Sequence, residues 1–417
     1  MPRPGPDNPY RRVLAAPHVL SLTAAAVVAR LPAGMGAIAL IIYVHEQTGS
    51  FAAAGAAAGA FTIGLGATGP LLGRLVDRRG PRPILVPFAL LSAAAFVAVP
   101  ILGGLGAGTV PMVAAATVAG GAMPPLGGLL RKLWPSLVEP PLLITAYVVD
   151  AVTIEIFFIA GPLLTGLLAA TAGAAEALLA AAAFGVAGTI WFVASPVIAA
   201  VDPSPPHQHT RAGALASPAI RVLVLTGVPL GATFGALDVA LPAFGAAHGS
   251  TALGGAFTAS LATGSALGAL VYGASPQRFG DAAQVCVRLA ILQPLMVLPL
   301  LLAPSVAAML VLGMVAGSFI APTITARSQI VQSSLPPGTG TEAFTWLTLA
   351  VVVGASAGSA LAGPLVQAEG WRAGVLLAAA LPAVGLPLIL ARRGLLRRAV
   401  AAGAPVAIPA VATTEGD

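Results

Sequence analysis

Charge is what this sequence most lacks. Only 8% of its 417 residues are Asp, Glu, Lys or Arg, where a water-soluble chain carries about 25%. That shortage excludes a protein whose whole surface faces water. Cysteine is scarcer still: Cys286 is the single one, which rules out a disulfide framework and a cysteine metal centre. Aromatic residues make up 5%, and the arginines form no basic face interleaved with them. The net charge of +6 therefore does not point to nucleic acid. No His/Asp/Glu cluster, P-loop or soluble catalytic domain can be found, so neither an enzyme nor a bound cofactor or metal is implied.

What is abundant is apolar length. The chain is 58% hydrophobic, and it breaks into a dozen stretches of the roughly 20 residues that cross a bilayer. The 49 glycines and 37 prolines fit membrane helices, where neighbouring helices and water satisfy freed backbone groups. Arg3, Arg11 and Arg12 precede an apolar run from His18 to Val44. That run is too long for a signal peptide and reads as a retained first helix. The expected spans are 18–44, 51–73, 84–105, 109–131, 142–170 and 175–199 in the first half. In the second half they are 218–245, 251–273, 284–303, 305–329, 341–367 and 372–391. They are numbered helix 1 to helix 12. The fold class is an all-α integral membrane protein of two six-helix bundles, 1–200 and 218–391. A polar linker, 201–217, contains Asp202-Pro-Ser-Pro-Pro-His-Gln-His-Thr-Arg211, and 392–417 forms a tail.

Of the 20 Lys and Arg, 18 fall at one set of helix ends, Arg30 and Arg372 being the exceptions. The positive-inside rule places those ends, both termini and the linker in the cytoplasm of a cell with the chain in its inner membrane. The halves also repeat. A shift of 200 residues lays Gly49-Ser50 on Gly249-Ser250, Gly55 on Gly255, Gly64 on Gly264 and Gly73 on Gly273. It also lays Arg78 on Arg278 and Gly80 on Gly280, while Pro125 echoes Pro322 and Gly161-Pro162-Leu163 echoes Gly363-Pro364-Leu365. Two repeats related by an axis along the membrane normal describe a transporter with its substrate held between the halves. Both halves lie in one chain, so a monomer suffices.

Between helices 2 and 3 stands Gly73-Arg-Leu75-Val-Asp77-Arg78-Arg79-Gly80-Pro81-Arg82. This loop resembles the signature of the major facilitator superfamily, Gly-x-Leu-x-Asp-Arg-x-Gly followed by basic residues. Pro81 departs from it at the first basic position. A degenerate echo, Gly273-Ala-Ser-Pro-Gln277-Arg278-Phe-Gly280, follows helix 8. The resemblance covers the whole chain and implies transport by alternating access, with helices 2, 5, 8 and 11 packing between the halves. It further implies that Asp77 meets the start of helix 11, Gly338-Thr-Gly-Thr341-Glu342, where free N–H groups and the helix dipole favour an anion. Gly73, Asp77, Arg78, Gly80, Arg82 and Glu342 are thus candidate gate residues, with arginines around Asp77. The alternative is that the basic cluster only sets topology. Gly55-x-x-x-Gly59, Gly69-x-x-x-Gly73, Gly264-x-x-x-Gly268 and Gly354-x-x-x-Gly358 are expected to bring helices close across the seam.

Ionisable groups inside spans are costly and therefore functional candidates. Arg30 falls in helix 1, Asp150 and Glu155 in helix 5, and Asp238 in the outer half of helix 7. A buried Arg30–Glu155 pair, joined by Asp150, is expected. Glu155, Asp150 and Asp238 are candidates for proton coupling; the alternative is a purely structural pair. Helix 5 carries Gly161-Pro162-Leu-Leu-Thr-Gly166, similar to the motif of proton-coupled drug antiporters but departing at Thr165 and Phe157. Helix 4 lacks that group's arginine, with Ala116 and Thr117 before Gly120-Gly121. Tyr147, Phe344, Trp346, Thr323 and Gln329, with Arg30, are candidate substrate contacts, with Thr325 a further hydroxyl on helix 10. A mostly apolar lining with few polar groups suits amphipathic organic molecules. The expected function is proton-coupled export of such compounds. The alternatives are a facilitator or importer whose Arg30 binds a carboxylate, and a membrane receptor or enzyme.

Overall fold

The computed structural model describes residues 8–203, 212–248, 253–274 and 276–402. Among them are twelve helices long and apolar enough to cross a membrane. Helices 1 to 6 are Val19–Thr48, Ala53–Arg79, Arg82–Gly104, Thr109–Leu137, Pro140–Thr171 and Ala174–Ala194. Helices 7 to 12 are Pro218–Ala247, Ala256–Ala274, Ala282–Leu302, Val306–Gln332, Gly340–Glu369 and Trp371–Ala391. Apolar side chains alone hold a helix in lipid because every backbone group is satisfied within the segment. Polar caps mark several ends: Ser50, Ser217, Asp281 and Ser305 each accept a backbone N–H of the first turn, which satisfies donors left orphaned there.

Packing repeats from half to half. Helix 1 lies against helices 5 and 6, as helix 7 lies against helices 11 and 12. Helix 2 lies on helix 4 as helix 8 lies on helix 10, and helix 3 on helix 6 as helix 9 on helix 12. Both halves also break the same helix. Helix 4 divides into Thr109–Gly121 and Leu126–Leu137 at Met123-Pro124-Pro125, where proline removes donors and forbids the preceding α conformation. Helix 10 divides into Val306–Gly317 and Ile320–Gln332, with Pro322 in the first turn of its second segment. Two short amphipathic helices, Pro9–Ala15 and Arg393–Ala402, flank the bundle at the end where the basic residues gather, here termed the basic end. Linker residues 204–211, tail residues 403–417 and the repeat positions Gly249, Ser250 and Ser275 lie outside the described residues.

Close glycine packing corrects the expectation for the seam. A methyl group at Gly354 or Gly358 of helix 11 would collide with the backbone of helix 7, and one at Gly264 or Gly268 with that of helix 10. These pairs fasten helices within a half. Of the four expected spacings only Gly69-x-x-x-Gly73 touches the other half, against Thr345 and Glu342 of helix 11. The physical reason is the cohesion of close backbone packing in lipid, which suits a rigid bundle better than a boundary that must part.

Candidate functional site

The halves meet most tightly at the basic end, around Asp77. Helix 2 carries this carboxylate in its last turn, and Gly73, one turn earlier, lets the start of helix 11 approach. Asp77 is 1% exposed. Its Oδ1 accepts the backbone N–H of Thr341 at 3.2 Å and its Oδ2 that of Glu342 at 3.0 Å. Lys132 Nζ of helix 4 donates to Oδ1 at 2.7 Å. Those N–H groups belong to the first turn of helix 11, which has no intrahelical acceptor for them and carries the positive end of the helix dipole. The cation beside Asp77 is therefore a lysine; Arg78 and Arg82 are exposed, correcting the expected arginine cage. The arginine that acts across the seam is Arg74, whose Nε and Nη2 donate to Glu342 Oε2 and Oε1 at 3.0 and 2.8 Å. Gly80 closes helix 2 at φ 84°, a conformation that favours glycine.

A second layer backs this contact. Tyr147 of helix 5 and Phe344 of helix 11 face each other at 6.4 Å between ring centroids, and the Tyr147 hydroxyl lies 3.3 Å from Gln332 Oε1. Thr145 Oγ1 donates to the Gly273 carbonyl of helix 8 at 2.9 Å. Gln329 Nε2 donates to the Tyr272 hydroxyl at 3.2 Å, and Trp346 Nε1 to Glu342 Oε1 at 3.4 Å. Tyr10, on the amphipathic helix Pro9–Ala15, donates to the Leu270 carbonyl of helix 8 at 2.6 Å. Four residues expected to touch substrate, Tyr147, Phe344, Trp346 and Gln329, thus sit in or beside this layer. They start or end helices where the halves converge, so their aromatic and amide groups pack against one another.

Away from the basic end the seam parts. Methyl groups at Gly73, Gly69 and Gly66 would touch helix 11, whereas among the described residues no other helix comes within 4 Å of one at Gly59 or Gly55. Between helices 5 and 8 contact begins at Thr145 and reaches Glu155, where Ser265 Oγ donates to Glu155 Oε1 at 2.7 Å. Both residues stand at the middle of their spans. Farther on, a methyl group at Gly166 of helix 5 again meets no other helix within 4 Å among the described residues. Among the described residues the seam is closed at the basic end, parted toward the other, and has a carboxylate at the boundary.

The expected Arg30–Glu155 pair is not formed. Arg30 Nη2 instead donates to Asp150 Oδ1 at 3.3 Å and its Nε to the Ala26 carbonyl, while Arg131 Nε donates to Asp150 Oδ2 at 2.6 Å. Five residues separate the two carboxylates, which is about 140° around a helix. Asp150 consequently faces helices 1 and 4 inside the bundle, and Glu155 faces helix 8. The Arg30 guanidinium also lies over the Phe157 ring, 5.5 Å from its centroid. Asp238 is exposed and makes no hydrogen bond or ion pair among the described residues. Thr323 is buried in the second half, one turn from Arg327, and donates to the Phe319 carbonyl at 2.6 Å.

Sequence reading passed over Lys132, Arg74, Arg131, Arg327 and Ser265. It counted Arg131 and Arg327 among surface charges, yet they are 6% and 4% exposed. Each lies about a turn and a half inside its helix end, a depth that marks it as ambiguous. Arg74 occupies a variable position of the signature, and Ser265 is one small hydroxyl among many.

The twelve described spans form two repeated six-helix bundles that meet at one end through contacts between helices 2 and 11. The Major Facilitator Superfamily model matches residues 22–231, and the chain belongs to that superfamily. It is 30% identical over 252 residues to the uncharacterized MFS-type transporter y4rN of Sinorhizobium fredii, a match spanning 59% of this chain and 62% of that relative. Its fold is similar to that of a bacterial homologue of the iron transporter ferroportin in an outward-facing state. That likeness has a TM-score of 0.69 at 16% identity, covering 89% of this chain and 98% of the other. The human organic anion transporter MFSD10 (TETRAN) matches with a TM-score of 0.63 at 15% identity, over 93% and 100% of the chains. The E. coli fucose:proton symporter FucP matches with 0.64 at 13% identity, over 90% and 98%.

Proposed function

We propose that the chain exports small amphipathic organic molecules in exchange for protons, by alternating access, with Glu155 as the coupling carboxylate. The observation that carries this reading is the Ser265–Glu155 hydrogen bond of 2.7 Å across the seam at mid-span. A carboxylate there meets a different environment each time the halves rock, so it can take a proton in one arrangement and release it in the other. Asp77, Lys132 and the start of helix 11 form the latch that holds the basic end shut, joined by Arg74 and Glu342. Tyr147 and Phe344 thicken that gate.

The positive-inside rule makes the basic end cytoplasmic, so the arrangement seen here opens outward from an inner membrane. Asp150 is bound by two arginines, which favours a structural role and moves the coupling function to Glu155; exposed Asp238 is a second carboxylate available to it. The partial antiporter motif supports export: Gly161 packs against the backbone of Gly34, shaping the junction of helices 5 and 1. Import or facilitation by way of Arg30 finds less support, because Arg30 is already engaged by Asp150 and Ala26.

The test is substrate-evoked proton flux in everted vesicles, screening lipophilic cations, antibiotics, sugars and organic acids against wild type and Glu155→Gln. A compound that collapses the proton gradient only in wild type supports the proposal. A compound that moves equally in both, without proton flux, makes the chain a facilitator.

A further inference from the structure

Arg327 is a buried cation in the second half that has no counter-ion among the described residues. On helix 10, it donates Nη1 to Thr226 Oγ1 at 3.2 Å and Nη2 to the Leu223 carbonyl, both on helix 7. A guanidinium has five N–H donors, and the remaining ones have no protein partner among the described residues. No described carboxylate lies within ion-pair distance; the ion pairs found are elsewhere. The first half differs, since Arg30 and Arg131 there share Asp150. Burying a charge is among the most expensive things a fold can do, and neutral acceptors do not cancel it.

The guanidinium borders a narrow cavity between helices 7, 9, 10 and 12, with Cys286, Gln293, Thr226 and Thr323 in its wall. A second cavity shares Leu230, Gln293 and Thr323 with the first. The threonine protons are committed, Thr226 to the Val222 carbonyl at 2.8 Å and Thr323 to that of Phe319. The Gln293 amide is uncommitted, with no hydrogen bond among the described residues. Free donors on Arg327 and Gln293, set among apolar walls, suit one compact acceptor carrying negative charge.

We propose that Arg327 and Gln293 form a monovalent-anion site inside the second bundle. The ligand chemistry is a single negative charge on a halide-sized ion or on the carboxylate of a small organic molecule. The site is separate from Glu155 and does not depend on the direction of transport.

The test uses the full chain, purified in detergent and kept in gluconate at constant ionic strength. Chloride or benzoate is titrated in while the thermal unfolding midpoint is followed. The expected result is a saturable rise of a few degrees in wild type, retained in Arg327→Lys and lost in Arg327→Gln. In Gln293→Leu the half-saturating concentration should rise at least threefold, which keeps the test decisive if Arg327→Gln does not fold. Cys286, the only thiol, gives an independent readout: the same anion should slow its alkylation with the same midpoint. A response to chloride alone assigns a free inorganic ion, and to benzoate alone the carboxylate of an organic molecule. No saturable response in wild type, or an unchanged one in both Arg327→Gln and Gln293→Leu, would overturn the site.

Discussion

Replacing Asp77 by Asn should unlatch the basic end while leaving each half intact. The carboxylate receives three hydrogen bonds, two from the start of helix 11 and one from Lys132. Hydrogen bonds to a charged group contribute about 1.5–3 kcal/mol, against about 0.5–1.5 for neutral ones. Losing the charge therefore removes about 1–1.5 kcal/mol from each bond that survives. The amide nitrogen that replaces one oxygen cannot accept, so one of the two backbone N–H bonds is lost outright. Attraction to the helix dipole, about 0.3–1 kcal/mol, goes as well. Lys132, 24% exposed at its side chain, regains water in the variant and offsets part of this. A net bias of about 2–4 kcal/mol is expected, which at 1.4 kcal/mol per tenfold is a shift of roughly thirty- to several hundredfold between shut and open arrangements. The assay is pulsed electron paramagnetic resonance with nitroxides at Ser136 and Ser334, one at the basic end of each half, in a Cys286→Ser background. Wild type should give one dominant short distance; Asp77→Asn should add a longer one in substantial amount. Superimposable distributions would refute the latch.

Other outcomes follow from the same geometry. Gly73→Ala places a methyl group 3.0 Å from Glu342 Cα and should also populate the long distance, whereas Gly59→Ala, with no other helix within 4 Å among the described residues, should be silent in the same measurement. Asp150→Asn strands two buried arginines and should destabilise the first half by about 3–5 kcal/mol; thermal unfolding and yield in detergent check this, and Arg30→Gln should cost less because Arg131 keeps its partner. Arg74→Ala leaves Glu342 buried without its cation, but Arg74 is 31% exposed at its side chain, and solvent screening limits the effect to about 1 kcal/mol. It should therefore shift the distance distribution less than Asp77→Asn.

Span number could be read from the chain, because apolar length is a local feature, and the contact between Asp77 and helix 11 was implied by the resemblance of the loop that carries Asp77. What could not be read depends on helix rotation and on which faces meet. Glu155 and Asp150 look interchangeable in sequence, yet their difference in angle sends one to the seam and the other to Arg30 and Arg131. Ser265 acquires its importance only from the residue opposite it. The glycine spacings on helices 8 and 11 promised close contact without saying with whom, and their partners lie in the same half. Aromatic residues near helix starts suggested a binding surface; what the sequence did not show is that Tyr147 and Phe344 pack against each other where the halves converge.

The measurement that bears most directly on the central claim needs no known substrate. Nitroxides at Ser136 and Ser334 report the basic end while pH is varied from 5 to 8, in wild type and in Glu155→Gln. If Glu155 links protonation to the rocking of the halves, the proportion of shut and open arrangements changes with pH in wild type and is constant in the variant. A wild-type distribution that ignores pH, or a Glu155→Gln distribution that titrates as wild type does, would contradict the account.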